Sequence, residues 1–214
     1  MTELLKQGAE VVFADAESAL LNHAGWLYSM SAKAPEAASR VIGMIPDTAE
    51  NVTTHEQFYL TELNERFGFN STMPPCYQTV YTGGPLSVPD VCEIRPLTMA
   101  ELPIVCANYR LGDDRDYIAS RIEAGMLGAF IDGQCAGFIG THDEGSMGML
   151  EVLPQYRRRG IATALEAAMI NDRLAHGRVP FGQIFEGNEA SLELQRKMGM
   201  TVCRGRICWR YREE

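Results

Sequence analysis

Residues Leu150 to Met169 read LEVLPQYRRRGIATALEAAM. Three consecutive arginines, Arg157, Arg158 and Arg159, stand against a lone glycine, Gly160, and the chain then runs straight into an alanine-rich helical pattern. Adjacent cations repel, and the first turn of a helix already carries partial positive charge, so charge logic would put acidic residues there. The arrangement calls for a negative partner. A strand ending at Pro154, a basic glycine-bearing turn and a helix start make an anion site, because first-turn N–H groups lack acceptors and the dipole end is positive. Gly160 has no Cβ to hold a ligand off the backbone, and the small Ala162 extends that clearance. The arginines can neutralise a phosphate or pyrophosphate from the rim. A solvated surface cluster is the other reading of the same residues. Neither a GK[ST] ending nor a GxGxxG string follows, so this is not a Walker loop or a dinucleotide fingerprint.

Outward from this turn, Ile161, Ala164, Leu165, Ala168 and Met169 share one helical face, and Gly177 is a natural stop. Upstream, Asp132-Gly133 is a strong two-residue hairpin signal, so Leu127 to Ile131 and Gln134 to His142 are expected as antiparallel strands, followed by MGMLEVL as a third. VCEIRPL reads as a strand, and Met99 to Leu111 and Arg115 to Gly125 as helices. Downstream come FGQIF as a strand, a short helix ending near Lys197 and Gly199, and TVCRGRICWRYR as the last strands. The expected fold class is α/β, with a mixed, largely antiparallel central sheet and flanking helices. TGGPLSVPDV, Thr82 to Val91, has no apolar period and reads as a linker, dividing the chain into a smaller α/β part over 1–90 and a domain over 91–214.

The chain has 214 residues, 46% apolar, and a formal net charge of −9. No run approaches the roughly 18 apolar residues of a membrane span, and the N-terminus lacks signal-peptide order, so no membrane partner and a cytoplasmic location are expected. Six scattered cysteines without a CxxC pair read as reduced thiols, and four histidines without i, i+4 spacing give no metal site. Residues 1–90 hold four basic against eleven acidic residues, a net of −7, which disfavours nucleic acid and suits a cationic or neutral substrate.

VLPQYRRRGIATA, Val152 to Ala164, resembles the acetyl-coenzyme A motif of the GNAT superfamily of N-acetyltransferases, [RQ]xxGx[GA] after a V-x-P strand end, through Arg157, Gly160 and Ala162. NEASLELQRKMGM, Asn188 to Met200, is similar to the family's second segment through Asn188, Ser191, Leu194, Lys197 and Gly199. The resemblance covers 92–213. It implies a GNAT-like acyl-coenzyme A N-acyltransferase fold and acetyl-CoA as acyl donor, with the pantetheine arm pairing near Val152 and the pyrophosphate resting on Arg158, Arg159, Gly160, Ile161, Ala162 and Thr163. Asn188 would lie beside the arm or cap a helix, and Lys197 would reach an outer phosphate or be solvated.

The implied reaction moves an acetyl group to a primary amine of a small molecule or peptide by direct attack in a ternary complex. The rival reading is a non-catalytic acyl-CoA-binding sensor or interaction module. Direct attack needs the amine held in line, its proton removed and the oxyanion stabilised. An N–H near Val152 is the expected oxyanion donor. Glu151 is the expected base, since strand alternation sends it opposite to Leu150 and Val152; a solvated or arginine-paired Glu151 is the alternative. Glu144 and Glu186 are reserves. Where many members carry a tyrosine that protonates the leaving thiolate, this chain has Gln195, which cannot act as an acid; Tyr156 and Tyr211 are possible substitutes.

In the first ninety residues, a shift of 131 lays Leu63 on Leu194, Gly68 on Gly199 and CYQTVY on ICWRYR, which suggests a degenerate half-repeat of the same fold. WLYSMSA, Trp26 to Ala32, is expected opposite the arginine loop. It has no glycine and no basic cluster, so one cofactor per chain is expected. The acceptor loops, Leu111 to Asp116 and Asp143 to Ser146, carry no distinctive code, and the oligomeric state stays open with a homodimer among the options.

Overall fold

A computed structural model describes residues 1–109 and 114–213, so part of the expected acceptor loop, residues 111–113, lies outside the described residues. The elements in the first half are α1 (Thr2–Lys6), β1 (Glu10–Ala14), β2 (Ser18–His23), β3 (Leu27–Ala32), α2 (Pro35–Ile42), β4 (Asn51–Thr54), α3 (Leu60–Phe67) and β5 (Cys76–Val80). In the second they are β6 (Glu93–Pro96), α4 (Leu102–Asn108), α5 (Arg115–Glu123), β7 (Leu127–Ile131), β8 (Gln134–Thr141), β9 (Met147–Val152), α6 (Ile161–Ala175), β10 (Phe181–Phe185), α7 (Glu189–Lys197) and β11 (Thr201–Tyr211). The mixed α/β class expected from the sequence holds. The chain divides into two compact units, one of Met1–Gln78, Gln183–Glu189 and Val202–Glu214, the other of Thr79–Gly182 and Ala190–Thr201.

In the first unit β1, β2 and β3 are antiparallel, β3 and β4 run parallel, and β4 pairs antiparallel with β11. Tyr28, Met30, Ala38, Val41, Ile42, Leu63 and Phe67 bury one face of this sheet beneath α2 and α3. WLYSMSA is mostly β3 and not a loop. Lys33-Ala34 joins β3 to α2, whereas Leu153 to Gly160 join β9 to α6, so the 131-residue shift fails at WLYSMSA while it still lays α3 on α7 and β5 on β11.

In the second unit β6, β7, β8 and β9 are antiparallel, and β9 meets β10 in parallel. Asp132 (φ 50°) and Gly133 (φ 75°) make the two-residue turn of the β7–β8 hairpin, the pair of positive angles that a twist-matched hairpin turn needs. Two cores flank the sheet. Ile161, Leu165, Met169 and Ile170 of α6 pack with Met147, Leu150 and Val152 on one face. Ile118 and Ile122 of α5 and Val105 of α4 pack with Phe138, Met149 and Leu153 on the other. Each fully buried large side chain contributes about 1.5–3 kcal/mol through removal from water. The stretch Thr82 to Val91, read as a linker, lies within this unit and is tied to α6: Leu86 N–H donates to Asn171 Oδ1 (2.7 Å), and Asn171 Nδ2 donates to the Leu86 carbonyl (2.8 Å).

Candidate functional site

The arginine turn connects β9 to α6 within the second unit, after one 3-10 turn at Pro154–Tyr156. Arg158 (φ 62°) and Gly160 (φ 81°) both occupy the left-handed region, which curls the backbone so that successive N–H groups converge. Gly160 is the N-cap of α6 and offers no side chain to its amides. The amides of Ile161, Ala162 and Thr163 have no backbone acceptor among the described residues; the first intrahelical bond is Ala164 N–H to the Gly160 carbonyl, 3.0 Å. A 15-residue helix thus presents its positive end unsatisfied. A side chain at position 160 would be strained by its φ, and its Cβ would stand 3.7 Å from the nearest methyl of Val91. The donor set fits a pyrophosphate.

The three arginines have separate places. Arg157 folds back, its Nε donating to the Val152 carbonyl at 3.0 Å, and Arg159 lies over the Tyr156 ring at 5.6 Å. None of the three pairs with a carboxylate among the described residues.

Strand β9 is shaped for an edge ligand. Its parallel pairing with β10 comprises one Cα partnership, Gly182 with Met147. On its other side the β8 register slips between Phe138 and Gly140, so Met149 and Leu150 together oppose one residue, and Met149 takes φ 52°. This bulge bends the strand and turns Met149 to the α4/α5 core while Leu150 and Val152 pack toward α6. Leu153 N–H donates to the Ala136 carbonyl on β8 (2.9 Å), so by alternation the Val152 amide points to the open edge. Its carbonyl is engaged by Arg157, which leaves the N–H as the edge donor.

Glu151 is half-buried, in register with Phe138 and on the face opposite Leu150 and Val152. Its carboxylate has no hydrogen bond or ion pair among the described residues. Asn188 belongs to the first unit, in the turn between β10 and α7, where its N–H donates to the Phe185 carbonyl at 3.0 Å. Glu186 is held by Arg206 Nε at 2.6 Å in that same unit, and Tyr211 lies there on β11, so neither shares a unit with the arginine turn.

The α4/α5 face of β9 brings together residues the sequence reading passed over. Asp114 caps α5 by accepting from the Asp116 and Tyr117 amides at 2.9 and 3.0 Å, which sets Tyr117 in the first turn. Tyr117 Oη lies 2.7 Å from Nδ1 of His142. The imidazole rests on Gly148: a Cβ there would come within 2.7 Å of Nε2. Glu144 is buried and accepts from Ser146 Oγ. Burial, then Glu151, then Glu144 push the Tyr109 hydroxyl up to about 12. The one local trace in the sequence is Gly148 inside an apolar strand, a sign of close approach by another group.

Gln195 is turned inward. Its Nε2 donates to Oε1 of Glu166 and its Oε1 accepts from Thr79 Oγ1 at 2.8 Å, all three being buried. Burial pushes the Glu166 carboxyl up to about 7, against the Gln195 hydrogen bond that lowers it. No group of three or more His, Cys, Asp or Glu among the described residues is placed to hold a metal ion, and no helix there is long and apolar enough to cross a membrane.

The family model described as FR47-like protein matches residues 126–209, the span from β7 through β11. A Drosophila protein solved by a structural genomics consortium is 19% identical with a TM-score of 0.70, over 91% of this chain and 74% of its own. A GCN5-related N-acetyltransferase from Kribbella flavida is 13% identical with a TM-score of 0.58, over 100% and 92%. A tandem GNAT protein from the clavulanic acid biosynthesis pathway is 14% identical with a TM-score of 0.51, over 91% and 78%. No curated protein matches the chain. The family model spans the arginine turn, and the chain shares its fold with these GCN5-related N-acetyltransferase structures.

Proposed function

We propose that the chain is an acetyl-CoA-dependent N-acetyltransferase acting on a primary amine of a small molecule or peptide in the cytoplasm. The observation that carries this reading is the N-terminus of α6, whose first three amides have no backbone acceptor among the described residues, with Arg158 and Gly160 in the left-handed region. The amides of Ile161, Ala162 and Thr163 would hold the pyrophosphate, with Arg158 and Arg159 neutralising it. The Val152 N–H would pair with the pantetheine arm or receive the developing oxyanion. Bound acetyl-CoA would supply the activated thioester carbonyl. Glu151 lies on the face of β9 opposite Leu150 and Val152, its carboxylate without a partner among the described residues, suited to draw in an ammonium and take one of its protons. Asn188 and Lys197 keep the roles implied by the resemblance, as part of the same proposal.

We also propose that residues 1–90 are a degenerate half of the same fold. In support, β1–β2–β3 antiparallel then β3–β4 parallel repeats β7–β8–β9 antiparallel then β9–β10 parallel, and a protein described as a tandem GNAT spans most of this chain.

The inward hydrogen bonds of Gln195 favour a second reading, an acyl-CoA-binding module without turnover, because no acid occupies that position. Isothermal titration of acetyl-CoA into the wild type and Gly160→Glu tests the first claim, with one-to-one binding lost in the variant as the expected result. Thiol release with a panel of primary amines then separates enzyme from module: binding without release would favour the module.

A further inference from the structure

An ammonium acceptor must lose two protons on its way to an amide, and one carboxylate, Glu151, can take one of them. A second proton-accepting group is needed on the same face of β9. We propose that Tyr117 and His142 form that group, Tyr117 touching the amine and His142 acting through it; this rests on the acetyltransferase reading above.

The pair is built by three elements of the second unit. The Asp114 cap on α5 sets Tyr117, the turn after β8 sets His142, and Gly148 on β9 supplies the flat seat for the imidazole, whose plane lies 18° from that of the tyrosine ring. The hydroxyl and Nδ1 are 2.7 Å apart. Burial, followed by Asp143 and Glu144, raises the Tyr117 hydroxyl above its ordinary value, so it remains a phenol and donates to Nδ1. The neutral imidazole then carries its own proton on Nε2, an assignment that follows from which group can donate.

The charged and titratable groups around the pair are Arg121 on α5, Asp143 and Glu144 in the turn, Tyr109 after α4 and Glu151 on β9. Arg121 is spoken for by Asp143 at 2.6 Å.

In the step itself the amine nitrogen attacks the thioester carbonyl carbon and a C–N bond forms. The amine proton passes to Tyr117 Oη as the tyrosine proton passes to His142 Nδ1. Collapse of the oxyanion breaks the C–S bond and the electron pair leaves on sulfur. Before the next amine binds, the imidazolium and the protonated Glu151 each give their proton to solvent or to the departing thiolate. Atoms and charge balance without an external oxidant or reductant.

The test uses the full chain with acetyl-CoA and a panel of primary amines, comparing wild type, Tyr117→Phe and His142→Gln. Both variants are expected to bind acetyl-CoA as wild type does in isothermal titration. Each should lose about 100-fold or more in kcat with KM held, since general-base assistance contributes on that order. Because His142 acts through Tyr117, the loss in His142→Gln should fall on kcat with acetyl-CoA binding and KM unchanged, a split that a merely structural role would not give. A His142→Gln enzyme that keeps its kcat overturns the proposal. So does a change confined to KM, or a wild type that binds acetyl-CoA and releases no thiol with any amine. If the wild type does not bind acetyl-CoA, the acetyltransferase reading fails and this one falls with it.

Discussion

Two strand pairs in this chain, β3 with β4 and β9 with β10, have the same parallel sense and the same antiparallel neighbours, yet one is closed and the other open. In the first, Tyr28, Ser29 and Met30 partner Val52, Thr53 and Thr54, and His55 N–H continues the ladder to the Met30 carbonyl at 3.1 Å. The Glu56 carboxylate then accepts from Ser31 Oγ (2.7 Å), the Ala32 amide (3.0 Å) and Tyr59 Oη (2.8 Å). Helix α2 begins with Pro35, which has no N–H to give. In the second, one Cα partnership is formed and the helix begins behind Gly160 with amides that have no backbone acceptor among the described residues. The same topology leaves the helix start undercommitted in one half and closed in the other. In the first half an internal carboxylate occupies the donors that an outside anion would need.

This contrast is sharpest in cofactor binding. Gly160→Glu puts a carboxylate at a left-handed position in the proposed phosphate turn, so acetyl-CoA affinity should fall by about 100-fold or more, beyond the range of a single lost hydrogen bond. The first half should contribute nothing, and a stoichiometry of two in the wild-type titration would break the comparison.

The closure of the first half has a measurable energy. Glu56→Ala orphans three donors, one a backbone amide, and should lower the unfolding free energy by about 3 kcal/mol in urea titration. Loss well below 1 kcal/mol would mean that the carboxylate does not lock this pair of strands.

The second half carries its own buried carboxyl, and its effect runs with pH. The folded Glu166 titrates at about 7 against an ordinary 4.5, so the native state binds the proton more tightly than the unfolded chain. Its contribution is therefore full below about pH 4.5 and is lost as pH rises to about 7. Glu166→Gln should flatten that part of the stability profile and gain roughly 2 kcal/mol over wild type at pH 8. Identical profiles would place the Glu166 proton elsewhere.

The smallest effect concerns the strap over α6. Asn171→Ala removes both bonds to Leu86 and should cost about 1 kcal/mol, read from the urea midpoint at unchanged slope.

The features read correctly before the structure are those that neighbouring residues encode. The Asp132-Gly133 turn, the apolar face of α6 and the Arg157–Gly160 turn each depend on spacings of a few residues. Fixed-shift alignment misplaced WLYSMSA because it assumes equal connections, whereas one half joins strand to helix through Lys33-Ala34 and the other through Leu153 to Gly160. Gln195 was read as a gap in the catalytic machinery; packing makes it the middle of a buried chain from Thr79 to Glu166.

By itself the sequence determined the α/β class, the glycine-bearing turn after β9 and the helix that follows it, since hydrophobic period and glycine freedom act within one or two turns of chain. Tertiary structure alone decided which strand pair stays open, that β11 from the end of the chain pairs with β4, and that Tyr117 meets His142. Those outcomes depend on contacts between residues dozens to more than a hundred positions apart, whose partners are selected by burial and backbone pairing and leave no local period to read.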